Sequence, residues 1–230
     1  MSDIKYYREL EQGTDEWLSA RLGIVTASEV NNLVTPKGKL ASGAKVQAYA
    51  CEKASQRVNM RIEDHFESYD MQRGHIEEET ARDVYIENYA EVEECGFIVR
   101  DFGAFKIGVS PDGLVGENGG IEIKSRKAKF QVATIVSDTV PDEYMNQCQA
   151  FLLVTGREWI DFVQYSNGMP IFVKRVMPDA ERMELIRTAV SDFEMHVTKA
   201  MVVYESHAMN MVQTERVEFV LEDMITESEG

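Results

Sequence analysis

The chain has 230 residues, 44% hydrophobic and 28% charged, the balance of a soluble folded domain with ample length for a core. Those proportions exclude a disordered, collagenous or coiled-coil chain, and no apolar run approaches a membrane span. With 24 basic residues against 40 acidic ones the formal charge is −16, which argues against a passive nucleic-acid coat, since coating DNA needs cations to displace its counterions. An enzyme that works on DNA stays open, because carboxylates that hold divalent metals count as negative on paper.

The N-terminus lacks an apolar secretory segment. Cys51, Cys95 and Cys148 are far apart and form no Cys-x-x-Cys pair. Both features point to a reducing, cytoplasmic compartment, with the thiols expected to be buried. Thr14 is placed to cap a short helix through Trp17 that ends at Gly23, and a second short helix is expected after Thr26, carrying Ser28 to Val34. Ser42 is placed to cap a helix reaching about Val58. Ala81, Val84, Tyr85 and Tyr89 recur at helical spacing and predict a long helix over residues 72–90. The period then changes. Strands are expected at residues 92–100 and 105–110, at Leu114-Val115 and over residues 121–124, separated by the turn signals Pro111-Asp112-Gly113 and Gly119-Gly120. Helices follow at 126–136 and 142–155, then strands at 159–165 and 171–176. Pro178 opens a long amphipathic helix carrying Met183, Ile186, Phe193 and Val197. This order predicts an α/β (α+β) fold with a central mixed β-sheet flanked by helices. Residues 1–207 are expected to form the domain and 208–230 an acidic extension, with a short strand over residues 217–221.

One constellation carries chemistry. Asp112 sits in the turn, and after nine intervening residues comes Glu122-Ile123-Lys124. On a strand Glu122 and Lys124 share a face, roughly 7 Å apart, and Asp112 can fold back over it. Two carboxylates and the Ile123 carbonyl make a hard-oxygen site for Mg²⁺ or Mn²⁺, with Lys124 beside the attacking water. The plain alternative is a common turn followed by a solvated cross-strand pair. Glu77 and Glu78 both border the inward face of the long helix, and periodicity does not separate them. Their plain role is to complement the helix dipole. Gln147 shares a stripe with Tyr144 and Phe151, as either a boundary residue or a catalytic one. Lys124, Arg126, Lys127 and Lys129 form a local basic patch suited to a DNA backbone, although Lys127 reads better as solvated.

The residues together resemble the phage lambda-type alkaline exonucleases of viral recombination. The likeness runs through Glu11-Gln12-Gly13, Trp17, the stretch from Arg21 to Val30, Gly74, Glu78, Ala81 and Arg82. It continues through Ser110 to Leu114, Glu122-Ile123-Lys124, Tyr144-Met145 and Gln147, in the family's order. The resemblance implies a restriction-endonuclease-like PD-(D/E)xK core and digestion of one duplex strand from its 5′ end to mononucleotides, leaving a 3′ overhang. It implies metal ligands Glu78, Asp112, Glu122 and the Ile123 carbonyl around two ions, with Lys124 on the water and Gln147 in support. Arg21, Ser28 and Ser110 match the positions that hold a terminal 5′-phosphate. Met71 falls near the apolar residue that wedges into the duplex end, and an ordinary core methionine is the plain alternative. A homotrimeric ring and a single-strand annealing partner are implied as well. The other readings of the motif are an endonuclease on branched or single-stranded DNA, or a non-catalytic acidic adaptor.

Overall fold

The computed structural model describes residues 3–63 and 69–217, with the side chains of residues 69–72 and 75 left aside. The acidic stretch from 218 onward, with most of the strand expected at 217–221, lies outside the described residues.

The fold is α/β, and the strands among the described residues form two four-stranded mixed sheets. One has the order β1-β3-β4-β2, from Asp3–Tyr7 (β1), Val25–Thr26 (β2), Phe97–Asp101 (β3) and Lys106–Val109 (β4). The other has the order β5-β6-β7-β8, from Gly113–Val115, Gly119–Ser125, Ile160–Tyr165 and Phe172–Val176. The chain changes sheets across Ser110-Pro111-Asp112, because proline cannot donate to a ladder and ends β4 there. In the second sheet β5 and β6 form an antiparallel pair, and β6 and β7 run parallel with Glu122 opposite Phe162.

Among the described residues, six α-helices surround the sheets. Thr14 caps α1 (Asp15–Arg21) by accepting from the Trp17 N–H at 3.3 Å. The helix expected after Thr26 is a six-residue 3-10 turn, Ala27–Asn32. The others are α2 (Ala44–Asn59), α3 (Tyr69–Asn88), α4 (Ala128–Ser137), α5 (Asp142–Thr155) and α6 (Ala180–Ala208). No described helix is long and apolar enough to cross a membrane.

Four expectations need correction. The strand expected from residue 92 begins at Phe97. The backbone at Gly96 passes so close to Leu10 that a Cβ would lie 1.8 Å from the Leu10 carbonyl oxygen, so the chain turns there instead of running straight. The helix expected from 126 begins at Ala128, leaving Arg126 and Lys127 extended ahead of it. Gly43, at φ +83°, stands at the start of α2 in place of the expected Ser42 cap. Cys51 is exposed on α2, while Cys95 and Cys148 are buried.

The two faces of β6 explain how the site is held. Ile121 and Ile123 point to α3 and pack with Ala81, Tyr85 and Val163. Gly120, Glu122 and Lys124 point the other way, toward α5. Gly120 has no room for a side chain, since a Cβ would meet the Phe151 ring at 2.2 Å. The larger core joins α5 and α6 to both sheets through Phe151, Phe162, Ile186 and Phe193, all buried. A polar knot around the buried Asp161 ties α3 to β7 and β8: Asp161 accepts from the Tyr85 hydroxyl at 2.8 Å and from Arg175 at 2.9 Å through both oxygens.

Candidate active site

Glu122 is 1% exposed, an expensive place for a carboxylate. Its Oε1 accepts from Lys124 Nζ and from Gln147 Nε2, both at 2.5 Å. Its Oε2 is buried with no hydrogen-bond partner among the described residues. One oxygen is therefore fixed by its own strand and by α5, and the other is left over.

Asp112 lies beside it through the backbone. Pairing of β5 with β6 ends at Gly113 opposite Ile121. Beyond that point the Ile123 N–H is taken by Asp112 Oδ2 at 2.6 Å, so the carboxylate continues where the strand stops. Arg82 braces the same turn, donating to the Asp112 carbonyl at 3.0 Å and to Glu78 at 3.0 Å. In the sequence Arg82 is legible only as one more motif residue, although its i,i+4 spacing from Glu78 is the signal of such a brace.

The structure also separates the two glutamates that periodicity leaves tied. Glu77 accepts from the Ser125 hydroxyl and lies 3.9 Å from Arg73. Glu78 faces the carboxylates. Its pKa is raised to about 7, by burial first and then by the Asp112 charge, against the pull of Arg82 and Lys124. Glu122 is raised to about 8 by burial, with Lys124 opposing and Asp112 and Glu78 adding. Lys124 is held above the ordinary lysine range: burial works against its charge, and Glu122 and Asp112 outweigh burial. The three carboxylates thus feel one another's charge. Among the described residues, however, no three His, Cys, Asp or Glu side chains are drawn together as a finished metal cage. The Glu78, Glu122 and Asp112 oxygens that could close on a cation are in part engaged with Arg82, Lys124, Gln147 and the Ile123 N–H.

A cleft of about 610 Å³ opens on this group, lined in part by Glu78, Arg82, Asp112, Pro111 and Trp17. Trp17 links it to the second set of expected residues. Its indole N–H lies 3.0 Å from both Ser110 Oγ and the Gly96 carbonyl oxygen. The Arg21 guanidinium stacks 3.9 Å from its ring centre. Trp17 thereby joins Arg21 to Ser110. Ser28 stands apart on the 3-10 turn, exposed, with Oγ 3.2 Å from Thr26 Oγ1.

Of the basic patch, Arg126 pairs with Glu143 at 2.7 Å and lies over Phe130, while Lys129 is exposed beside the same ring. Tyr144, stacked on Phe162, has both Lys124 and Arg126 over its face. Met71 belongs to α3, but its side chain, and with it the wedge, lies outside the described residues.

The chain resembles known proteins in sequence and in fold. A profile of the YqaJ-like viral recombinase domain matches residues 16–158, which hold every residue named for the site. The chain belongs to the YqaJ-like viral recombinase family. This family member is similar to an alkaline exonuclease, LHK-Exo from Laribacter hongkongensis, at 34% identity and a TM-score of 0.75, over 86% of this chain and 100% of that one. The same exonuclease in complex with dAMP matches equally. A phage-related exonuclease from Haemophilus somnus 129PT shares the fold at 16% identity and a TM-score of 0.54, over 80% of this chain and 96% of that one. No curated protein matches. The YqaJ-like chain is thus a nuclease of the alkaline exonuclease type, as its motifs imply.

Proposed function

We propose that this YqaJ-like nuclease digests duplex DNA from a 5′ end, hydrolysing phosphodiesters to 5′-mononucleotides and leaving a 3′ overhang. The observation that carries the reading is Glu122: a buried carboxylate with one oxygen held by Lys124 and Gln147 and the other unsatisfied beside Asp112 and Glu78. A dry acidic cluster of this kind is costly unless a cation completes it. The donor set is all hard oxygen, which suits Mg²⁺, with Mn²⁺ as a substitute. Glu78, Asp112, Glu122 and the Ile123 carbonyl would hold the metal, as two ions in this reading. Bound there, the metal supplies Lewis-acid stabilisation of the phosphoryl and leaving oxygens and lowers the cost of forming hydroxide.

The chain's own groups do the rest. Lys124, kept cationic by Glu122 and Asp112, orients the attacking water and favours its deprotonated form. Gln147 holds the Glu122 carboxylate in one orientation from α5. The Ile123 N–H fixes Asp112. Arg21, Ser28 and Ser110 receive the terminal phosphate: a guanidinium gives charge-assisted contacts and hydroxyls can donate. Arg126 and Lys129 follow the backbone of the strand. The dAMP complex of the similar exonuclease supports a mononucleotide product. A homotrimeric ring around the duplex, a single-strand annealing partner and action in the host cytoplasm complete the reading, by family likeness.

Linear duplex DNA carrying 5′-phosphate or 5′-hydroxyl ends, with closed circular duplex as control, tests it in Mg²⁺. Mononucleotide release that is faster from phosphorylated ends and absent from the circle is expected. Cutting of the circle would replace exonuclease by endonuclease action, and equal rates at both linear ends would remove the phosphate pocket.

A further inference from the structure

Behind Arg21 and Ser28 lies an ion pair with a buried lysine that no motif announces. Lys53, on α2, is 3% exposed, and its Nζ donates to Glu29 Oε1 at 2.8 Å. The other oxygen of Glu29 accepts from the Thr26 N–H at 3.0 Å and from the Thr26 hydroxyl at 2.8 Å. A hydroxyl has one proton. With the Thr26 proton committed to Glu29, the 3.2 Å contact between Thr26 and Ser28 must be donated by Ser28. That bond is long for two hydroxyls and correspondingly weak. It holds the Ser28 oxygen in place, yet an incoming phosphate can take the proton by rotation about one bond.

Charge is the second effect. Arg21 is a cation throughout; burial lowers its pKa, and Glu29 is the largest charge opposing that. A lone carboxylate there would cancel Arg21 and repel a phosphate. Lys53 cancels Glu29 instead, so Arg21, Glu29 and Lys53 together leave one positive charge facing the pocket. Nearby, Arg57 is neutralised by Glu194, which it grips through both oxygens, and does not alter that balance. Tyr49, whose ring lies 5.4 Å from Lys53 Nζ, has its hydroxyl pushed far above the ordinary range by burial and is neutral.

We propose that Lys53 is a positioning residue for the choice of DNA end: it offsets Glu29 so that Arg21 meets a 5′-phosphate as an uncompensated cation, and through Glu29 and Thr26 it sets the Ser28 hydroxyl. The inference rests on the phosphate-pocket reading above and names the groups that tune that pocket.

The test is the ratio of kcat/KM on 5′-phosphorylated to 5′-hydroxyl linear duplex, in the full chain with Mg²⁺. Lys53→Met lowers the ratio about tenfold, the order of a lost charge-assisted contact. Glu29→Gln raises it. The double variant Lys53→Met/Glu29→Gln again leaves Arg21 uncompensated, and the new amide oxygen can still accept from Thr26. It returns the ratio to within about twofold of wild type. A merely structural role slows both ends alike and leaves the ratio unmoved in all three, which overturns the inference. If Lys53→Met does not fold, Glu29→Gln decides the matter, since an unmoved or lowered ratio there overturns the inference, as does a tenfold loss of ratio in the double variant, which has no unpaired buried charge. A wild-type ratio of one would remove the pocket itself, a failure of the parent reading that is distinct from a wild-type preference untouched by these changes.

Discussion

Lys124 shows at the scale of one residue what the site's geometry demands. Its ammonium lies 2.5 Å from Glu122 Oε1 and is kept charged by that carboxylate and Asp112. A group that touches only the water in the transition state contributes to rate and little to binding. Lys124→Ala is therefore expected to slow strand cleavage by about 10²–10³-fold, the range of a lost preorganised electrostatic group, with affinity for a duplex end largely kept. Single-turnover cleavage set against a binding titration in Ca²⁺ measures the two separately, and wild-type cleavage would remove Lys124 from the mechanism. The shared face of Glu122 and Lys124 is legible in the sequence, because Glu-x-Lys on a strand fixes it by alternation alone. The choice of Glu78 over Glu77 is not, since both border one helix face and the Ser125 hydroxyl that takes Glu77 is 48 residues away. Lys53 escapes the sequence for a similar reason. A lysine in a helix reads as solvated, and only the packing of α2 behind the 3-10 turn buries it against Glu29.

At the scale of elements, β6 and α5 form the working unit. Alternation along β6 sends Ile121 and Ile123 to α3 and Glu122 and Lys124 to α5, and that pattern is readable in four residues. The register against α5 is not, because it depends on Phe151 sitting where Gly120 leaves space. Phe151 is fully buried, so Phe151→Ala is expected to cost about 3–5 kcal/mol. A lower urea midpoint at unchanged m-value measures the loss, and a change under about 1 kcal/mol would show that α5 is held by other contacts. Activity should fall further than stability, because Gln147 and Tyr144 ride on the same helix. The helices and most strands are legible from period and turn residues. The first strand is not: Asp3–Tyr7 pairs with Phe97–Asp101, some ninety residues on, and no local turn signals such a partner. The division into two sheets is equally hidden, because the break at Pro111-Asp112 also reads as an ordinary hairpin turn.

At the scale of the molecule, the chain is strongly acidic, at −16. Several acids converge on the cleft, and their cost should appear as a pH dependence. Glu78 and Glu122 have folded-state pKa values raised to about 7 and about 8. A carboxyl with a raised pKa binds more protons folded than unfolded, so stability falls as pH rises through that interval. Metal-free protein is expected to lose stability between about pH 5 and pH 8, and saturating Mg²⁺ should flatten the slope by binding only the folded, deprotonated form. Urea midpoints at several pH values, with and without the metal, measure both effects. A metal-free profile that is flat or rises with pH would mean that the carboxylates are better solvated than their surroundings suggest.

Glu122→Gln on 5′-phosphorylated linear duplex in Mg²⁺, with mononucleotide release followed beside wild type, tests the nuclease centre most directly. The change keeps the shape of the side chain and its Lys124 and Gln147 neighbours but removes the charge on which the site is built. Release is expected from wild type and, from the variant, a loss of about 10³-fold or more at a preserved fold. Release at the wild-type rate would contradict the placement of the nuclease centre at Glu122.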